Sequence, residues 1–406
     1  MTATLPDLFM PPRLLASGAA PADLATHHRR YGALSHGDPE SLLRTVAESG
    51  LTGRGGAGFP AFRKLVSVVE AGRRTGRAPV VVANGAEGEP ASRKDKTLLR
   101  LSPHLVLDGL QLAARTVGAE EAYLAVEDGA TWLESALAQR TADPLPVKVV
   151  RLPKSFLSGQ ASALARYVSG GAALPTRQRP PVRERGVHGA PTLVQNVETL
   201  AHLALIARYG ADWYRTVGTP TQPGSVLCTV HAPGREPRVV EAPYGLPLGR
   251  LLPLEGVRAV LVGGYHGTWI PAPEAAELAL DASCLGAGVV AALPADRCGL
   301  AETARVLRYL ALQSAGQCGP CLNGLPRIAT AFRALAAPGP QGTVRADLAR
   351  WSGLVEGRGA CHHPDGTVRL VRSALTTFAD EVDAHARGRC TATDRTPLLP
   401  VPEDRN

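Results

Sequence analysis

LTGRGGAGFP, residues 51–60, separates the first two helical patterns of a 406-residue chain. The pattern before it begins after the capping residue Asp38 and ends at Gly50, and the pattern after it covers residues 62–72. The four glycines within residues 53–58 let backbone N–H groups approach a phosphate closely, and a following helix adds a favourable dipole. The spacing differs from the strand–GxGxxG–helix pattern of a standard dinucleotide fold, so a plain turn remains the alternative.

After this loop, strand patterns alternate with helix patterns. Strands are predicted at residues 79–83, 122–126 and 147–152, and helices at residues 104–117, 132–139 and 192–208. Such alternation is typical of a largely parallel sheet that is covered on both faces. We therefore expect an α/β, Rossmann-like domain.

The pattern changes twice further along the chain. From about residue 218, short β-rich runs at 226–230, 238–241 and 257–262 surround a turn at Pro233-Gly234 and predict a β-grasp (ubiquitin-like) module. From residue 299 the spacing becomes helical, with helices expected at 301–314, 324–336, 343–353 and 368–386, which together predict a helical bundle.

These patterns predict five segments. They are an N-terminal extension (1–37), a nucleotide-binding α/β domain (38–217), a β-grasp domain (218–296), a helical domain (297–390) and a tail (391–406). We expect the extension to be mostly loop and its His27-His28 pair to lie on the surface.

Composition excludes several classes of function. Aromatic residues make up only 4%, and the basic residues behind the net charge of +8 are spread along the chain, so nucleic-acid binding is not expected. We find neither a secretory pattern at the start of the chain nor an apolar run long enough to span a membrane, and we expect a cytoplasmic protein. Seven cysteines then suggest metal ligands or free thiols more than disulfides.

The sequence QSAGQCGPC, residues 313–321, carries a Cys-x-x-Cys pair at the end of a predicted helix. Cys318 and Cys321 suit an iron–sulfur or zinc site, and a zinc half-site or a redox dithiol are the alternatives. Ala315 stands where a three-cysteine run would have its first ligand. Cys228 and Cys284 are expected to be buried thiols and Cys390 to have no role.

Four segments occur in an order that resembles a known family. They are GRGGAGFP at 53–60, NGAEGEP at 84–90 with Lys94-Asp95 behind it, PTLVQNVETL at 191–200, and the Cys318/Cys321 pair with Cys361. Together they resemble the NADH-oxidising flavoprotein subunit of respiratory complex I and the related diaphorases of NAD-linked hydrogenases and formate dehydrogenases. The resemblance covers roughly residues 38–385.

The resemblance implies cofactors and site residues. FMN would bind against Gly53, Arg54, Gly55, Gly56, Lys64, Asn84, Glu87 and Asn196. The nucleotide NAD(P)H would contact Gly58, Phe59 and Glu89. Cys318, Cys321 and Cys361 would hold a [4Fe–4S] cluster.

The chain departs from the family at the nucleotide site. The family's Gly-Glu-Glu-Thr-Ala-Leu segment corresponds to GQASAL at 159–164, so both acids are absent, and Ala86 replaces an aspartate. A charge-assisted hydrogen bond contributes about 1.5–3 kcal/mol, and about 1.4 kcal/mol is a tenfold change in affinity. The donor could therefore be NADH, NADPH or neither.

The cluster site also departs from the family, because Ala315 leaves three cysteines. His362 or His363 could be the fourth ligand, as could water or a small molecule, and a three-iron cluster or an incomplete ligand set is also open. We do not expect Cys298 to contribute, because the intervening helix would span about 20 Å.

The function implied is that of an NADH dehydrogenase-like enzyme. It would oxidise NAD(P)H through FMN and pass single electrons to the cluster, then to a ferredoxin-like or thioredoxin-like Fe–S protein or a membrane oxidoreductase. Such a partner could hold it at the inner face of the membrane. The alternatives are a nucleotide-independent FMN/Fe–S relay with ferredoxin and a non-catalytic scaffold that uses its β-grasp module.

Overall fold

The computed structural model describes residues 13–15, 20–34, 37–127, 130–177 and 180–402. Most of the predicted extension before residue 20, and the last four residues of the tail, lie outside these ranges. The first half of the described chain folds as α1 (Leu24–Tyr31), α2 (Pro39–Ser49), α3 (Ala61–Thr75), β1 (Val80–Asn84), α4 (Lys94–Leu101), α5 (Pro103–Val117), β2 (Glu121–Glu127), α6 (Trp132–Ala138), β3 (Val147–Leu152), α7 (Ala161–Val168), β4 (Thr192–Asn196) and α8 (Val197–Arg215).

The first sheet is parallel and has the strand order β3-β2-β1-β4. Its strands are buried runs of valine, leucine and alanine, as expected for a sheet that is covered on both faces. The chain proceeds outward from β1 to β2 and β3, and β4 then returns to the other side of β1. The Rossmann-like α/β unit that the alternating pattern predicted is confirmed.

The helix predicted at residues 192–208 begins too early. Residues 192–196 form β4, which pairs in register with β1 so that Asn196 lies opposite Asn84. The helix starts after Asn196, whose Oδ1 accepts a hydrogen bond from the Glu198 N–H at 2.9 Å. Short apolar runs do not distinguish a buried strand from a buried helix by periodicity, which explains the error.

The described part of the N-terminal extension contains α1, which was not predicted. The side chain of Asp23 caps this helix by accepting from the Thr26 N–H at 2.7 Å. His27 is buried and its Nε2 lies 2.7 Å from Asp108 on α5, so its expected position on the surface is wrong. Arg140 also contacts Asp108, at 2.7 Å, and this ion pair helps to hold α1 against the first sheet's helices.

The second sheet follows, with the strand order β6-β5-β9-β7-β8. Strand β9 pairs parallel to β5, and the other neighbours are antiparallel. The runs at 226–230, 238–241 and 257–262 are confirmed as strands, whereas β8 and β9 were not predicted. The elements are β5 (Ser225–His231), β6 (Arg238–Pro243), β7 (Val257–Val262), β8 (Thr268–Pro271), α9 (Ala272–Glu277), α10 (Ala282–Leu285) and β9 (Val289–Pro294).

The predicted helical bundle forms the end of the chain. It consists of α11 (Gly299–Leu312), α12 (Leu325–Ala336), α13 (Val344–Val355), α14 (His363–Thr377) and α15 (Ala379–Ala386). The helix expected at 368–386 is divided at Phe378, whose buried ring lies 5.3 Å from that of Trp269 in the second sheet. A Cβ at Gly299 would lie 2.3 Å from the Phe378 ring, so this break in the helix fits only beside glycine. Within the described ranges, none of the helices is long and apolar enough to cross a membrane.

Candidate functional site

The glycine loop lies over the carboxyl ends of β1 and β4. Two backbone hydrogen bonds close it, from the Gly53 N–H to Phe59 O at 2.8 Å and from the Ala61 N–H to Leu51 O at 2.9 Å. Gly56 has a φ of 92°, in the left-handed region that glycine favours. A Cβ at Gly55 would lie 3.5 Å from that of Asn196. The loop therefore presents exposed backbone above the end of the sheet.

The side chain of Arg54 is buried among protein groups. It donates to the Tyr214 hydroxyl at 2.7 Å and stacks on the ring of Tyr244, with the guanidinium carbon 4.7 Å from the ring centre. The Arg54 N–H donates to the Thr199 hydroxyl at 2.9 Å. In this position Arg54 fastens the loop to α8 and to the second sheet.

Lys64 is a buried cation on the first turns of α3. Its Nζ donates to the backbone oxygen of Val194 in β4. Burial is the main cause that lowers the pKa of Lys64 to about 8, and Arg183 adds to the effect. No carboxylate among the described residues pairs with it. The site therefore contains a positive charge without an anionic partner.

Asn84 and Asn196 end the two neighbouring strands at the point where the strand order reverses. In open α/β sheets, ligands bind in the crevice at this point. The Asn84 amide donates to Gly159 O at 2.8 Å, and the Asn196 amide donates to Asp95 at 2.8 Å. The fold thus brings two predicted site residues, 112 positions apart in the sequence, to one edge.

A buried ionic network joins three of the sequence motifs. Lys94 Nζ lies 2.8 Å from both Asp95 and Glu198, and Glu198 lies 3.9 Å from Arg54. Burial alone would lower the pKa of Lys94, but the two carboxylates outweigh it and raise that pKa above its ordinary value. Asn196 extends the network through Asp95. The charged residues of the motifs are therefore largely engaged with one another.

Glu87 and Glu89 are held by backbone donors. Glu87 accepts from the Ser92 hydroxyl at 2.6 Å and from the Asp95 N–H at 3.1 Å, so it caps the start of α4. Glu89 accepts from the Tyr265 N–H at 2.8 Å, in the turn between β7 and β8. Burial raises the pKa of Glu89 to about 7. As placed, both carboxylates position loops.

The residues assigned to the nucleotide are more exposed. Phe59 is 48% exposed beside Gly58 and offers an open aromatic face. Gln160, where the family has a glutamate, caps α7 by accepting from the Ser162 and Ala163 N–H groups at 2.7 and 3.0 Å. Its amide oxygen is thus engaged with its own helix.

The three predicted cluster cysteines meet between α11, α12 and α14. The Sγ atoms of Cys318 and Cys321 are 3.7 Å apart, and the Ala360 N–H, next to Cys361, donates to the sulfur of Cys318. Burial would raise the pKa of Cys318, but hydrogen bonds from backbone N–H groups lower it. Burial, with Cys318, raises the pKa of Cys321 to about 11. The group thus combines a thiol and a thiolate-favouring sulfur, which suits a metal centre.

The two histidines beside Cys361 differ sharply. His363 is buried, with Nε2 2.8 Å from Leu310 O and Nδ1 3.0 Å from His266 Nε2, so both ring nitrogens face other partners. The side chain of His362 is fully exposed and lies 3.5 Å from Asp365. In this arrangement His362 is the histidine that could turn towards the cysteines.

A short segment connects the strand-end site with the cysteine loop. A Cβ at Gly88 would lie 2.7 Å from Phe156 O, so this segment packs directly on the loop after β1. The Phe156 N–H donates to the Gln313 side chain at 3.1 Å, at the end of α11. The two sites therefore lie on either side of one packed segment.

Sequence reasoning missed a second group of potential ligands. Cys298, His385 and Cys390 lie together at the opposite end of α11 from Cys318. The three residues are separated by long stretches or lie beyond the predicted helices, so no short ligand spacing marks them.

Two protein-family models match the chain. The Nuo51 FMN-binding domain matches residues 46–205, and the NADH-ubiquinone oxidoreductase-F iron-sulfur binding region matches residues 301–385. The first match includes the glycine loop and both strand-end asparagines. The second includes Cys318, Cys321 and Cys361.

Whole-chain comparisons agree with these matches. The second F-type subunit of the NADH-quinone oxidoreductase of Rhizobium meliloti (strain 1021) is 29% identical over 389 residues, with 88% of this chain and 91% of that protein covered. The F-type subunit of the same enzyme in Streptomyces coelicolor is 26% identical over 383 residues, with 86% and 84% covered. A solved NAD+-reducing [NiFe]-hydrogenase in its air-oxidized state superposes with a TM-score of 0.83 at 30% identity, covering 96% of this chain and 68% of that one.

Proposed function

The chain belongs to the family of NADH-oxidising FMN and iron–sulfur subunits of complex I and related diaphorases, and we propose that it is an oxidoreductase that oxidises NAD(P)H. Electrons would pass through FMN to an iron–sulfur centre in the same chain. The observation that carries the proposal is the convergence of the glycine loop, Asn84, Asn196 and the unpaired Lys64 at the reversal point of the sheet.

The residues at the strand ends fit FMN. A phosphate or a flavin edge needs backbone donors, amides and a cation, and this edge offers Gly55, Asn84, Asn196 and Lys64. Lys64 supports the assignment most directly, because a bound anion would relieve the cost of burying its charge. Arg54 and Glu87 would act by fixing the loops, as their hydrogen bonds to protein groups indicate. When bound, FMN supplies hydride acceptance and one-electron release.

Three thiolates fit an iron–sulfur centre with one iron that is not bound by cysteine. Cys318, Cys321 and Cys361 supply the thiolates, and position 315 is alanine. A [4Fe–4S] cluster usually takes four cysteines, so we propose that His362, water or a small molecule completes it, or that three irons are present. The backbone donors to Cys318 would hold its sulfur in the thiolate form that metal binding requires.

The nucleotide would lie against Phe59 and the exposed backbone at Gly58, where adenine could stack. Glu89 would act indirectly by holding the Tyr265 turn. Gln160 and Ala86 replace acids of the family, and this favours weak discrimination between NADH and NADPH. The same replacements favour the second candidate, a nucleotide-independent relay that exchanges electrons with a ferredoxin.

We also propose the domain division 1–37, 38–217, 218–296, 297–390 and 391–406. The order β6-β5-β9-β7-β8, with its parallel central pair, supports a β-grasp assignment for the middle domain. The acceptor would be an Fe–S protein of ferredoxin-like or thioredoxin-like type or a membrane oxidoreductase. The protein would then work in the cytoplasm or at the inner membrane face through that partner.

An anaerobic titration tests the proposal. Protein purified without oxygen is assayed for flavin and iron, and NADH or NADPH is then added while the flavin absorbance in the visible range is followed. We expect about one FMN per chain and rapid bleaching by at least one nucleotide. Bleaching by neither nucleotide, with reduced ferredoxin still active, would favour the relay. Absence of flavin after reconstitution would contradict both.

A further inference from the structure

A second cluster of ligand-type atoms lies at the N-terminal end of α11. The sulfur atoms of Cys298 and Cys390 and one ring nitrogen of His385 all lie within 4.8 Å of one another. The Cys298 sulfur is 3.7 Å from His385 Nε2 and 3.2 Å from Glu381 Oε2. These groups come from the start of α11, from α15 and from the chain beyond α15.

A tight turn brings Cys390 back to this point. Helix α15 ends at Ala386, and Gly388, with a φ of 75°, reverses the chain as Arg389 N–H donates to Ala384 O at 3.0 Å. Beyond Cys390, the Thr393 N–H donates to Asp296 O at 2.9 Å. The turn and this hydrogen bond fix the path of residues 389–393 beside the start of α11.

The environment suits a bound cation. His385 and Glu381 are buried, and the two cysteines are half-buried. The Ala301 N–H donates to the sulfur of Cys298 at the N-terminus of a 14-residue helix, where a thiolate is favoured. Two sulfurs, an imidazole nitrogen and a carboxylate oxygen form a donor set that zinc prefers.

The distances agree with zinc coordination. In a tetrahedral site with Zn–S of about 2.3 Å and Zn–N of about 2.0 Å, a sulfur and a nitrogen ligand are about 3.6 Å apart. The observed separation of Cys298 Sγ and His385 Nε2 is 3.7 Å. We propose that Cys298, His385 and Cys390 bind a structural zinc ion, with Glu381 Oε2 as the fourth ligand.

Arg258 completes the charge balance. Two thiolates and one carboxylate around Zn²⁺ leave one negative charge, and Arg258 lies 2.7 Å from Glu381 Oε1, the carboxylate oxygen that the zinc would leave free. This charged hydrogen bond also orients the carboxylate, as partners of metal ligands commonly do. The site thus joins α11, α15, the tail and β7, which carries Arg258.

The proposed zinc site is separate from the iron–sulfur site. Cys298 precedes α11 and Cys318 follows it, and a helix of 14 residues spans about 20 Å. The zinc would fasten residues 390–402 to the bundle. Leu399 is buried in the bundle core, and its N–H donates to Glu302 on α11 at 2.7 Å, so the tail already contacts this helix.

Metal analysis of cysteine variants tests the proposal. The full-length protein, Cys390→Ser, Cys390→His and the control Cys284→Ser are grown with zinc and iron, and both metals are measured by plasma mass spectrometry. We expect one zinc per chain in the unaltered protein, loss of most zinc in Cys390→Ser, and retention in Cys390→His and Cys284→Ser. Iron should stay equal in all four. Circular dichroism confirms that each variant is folded.

Four results would overturn the proposal. They are an unaltered protein without zinc after zinc reconstitution, zinc that persists in Cys390→Ser, zinc that disappears with Cys318→Ser, and a Cys298–Cys390 disulfide in peptide mass spectra of the purified protein. Zinc-edge X-ray absorption gives an independent measure, because the site predicts two sulfur neighbours at about 2.3 Å.

Discussion

The strand-end site and the cysteine loop differ in how completely their groups are engaged. At the strand ends, residues from three motifs form one buried network in which Lys94, Asp95, Glu198, Asn196 and Arg54 contact one another. In the cysteine loop, Cys318 and Cys321 contact chiefly each other, and the fourth position is alanine. The network can form without a ligand, whereas the cysteine loop needs a metal to be complete.

The largest expected effect is at the cysteine loop. Cys321→Ser removes a thiolate from a set of three, and we expect iron to fall below about a tenth of its normal content, since the remaining ligands are too few to retain a cluster. Flavin should be unchanged because the strand-end network is intact. Iron and flavin assays on the same sample measure both. The control is Cys228→Ala, which removes a fully buried thiol elsewhere.

Equal loss of iron and flavin in Cys321→Ser would show that the two regions do not fold independently of their cofactors. Normal iron in this variant would contradict the ligand assignment. The first outcome would break the contrast between the regions, and the second would leave the cysteine loop without its proposed role.

The next largest effect is on stability, at the centre of the network. Lys94→Met leaves the buried carboxylates of Asp95 and Glu198 without their shared cation, and breaking a buried ion pair costs about 3–5 kcal/mol. We expect the free energy of unfolding in urea to fall by that amount. Lys96→Met is the matched control, because Lys96 is half exposed and pairs only at the surface with Glu127, worth about 0–1 kcal/mol. Similar small losses in both variants would contradict a structural role for the network.

The network also explains which parts of the fold could be predicted. Helices with a cap and a glycine end, such as α2, were placed correctly because their signals are local. Strand β9 was missed because a short apolar run is ambiguous, and β4 was merged into α8 for the same reason. The resemblance identified Arg54 and Glu87 as site residues, but their burial against Tyr214 and Ser92 depends on tertiary packing, which no spacing reveals.

The cysteines show the same limit. Cys318 and Cys321 were recognised because they lie only three positions apart along the chain. Cys298 was set aside because α11 separates it from Cys318, and that geometric argument was correct for the iron–sulfur site. It did not indicate Cys390 and His385, since a turn at Gly388 and the docking of the tail bring them to Cys298. Ligands assembled from distant segments are visible only in the folded chain.

A smaller effect is expected from Lys64, the cation that the network leaves unpaired. Lys64→Met removes a charge-assisted contact of about 1.5–3 kcal/mol, so FMN affinity should fall about 10- to 100-fold. Fluorescence quenching of added FMN measures the dissociation constant in flavin-free protein. Lys148→Met, at an exposed lysine that pairs with Glu121, is the control. Unchanged affinity in Lys64→Met would remove Lys64 from the site.

The pH dependence of FMN binding sharpens this prediction. Folding lowers the pKa of Lys64 to about 8 from 10.5, so its protonated form is costly below pH 8, by about 3 kcal/mol, and stability rises as the pH increases from 8 to 10.5. A bound anion favours the protonated form. FMN affinity should therefore be highest below pH 8 and fall as the pH rises through about 8, and Lys64→Met should lose this dependence. Riboflavin distinguishes the two contacts, because it keeps the dependence only if Lys64 lies against the ring.

The smallest expected effect comes from supplying the missing thiolate. Ala315→Cys places a cysteine on the turn between α11 and Cys318, three residues before Cys318, where the family has its first ligand. If the centre is a cluster with one iron not bound by cysteine, the variant should retain its visible absorption several-fold longer in air, because four thiolates hold the irons more securely than three. Ala360→Cys, next to Cys361, controls for an added thiol at a different position. An equal lifetime in both variants, with unchanged iron, would mean that position 315 does not face the centre, and the contrast between an engaged strand-end network and an incomplete cysteine loop would then need another explanation.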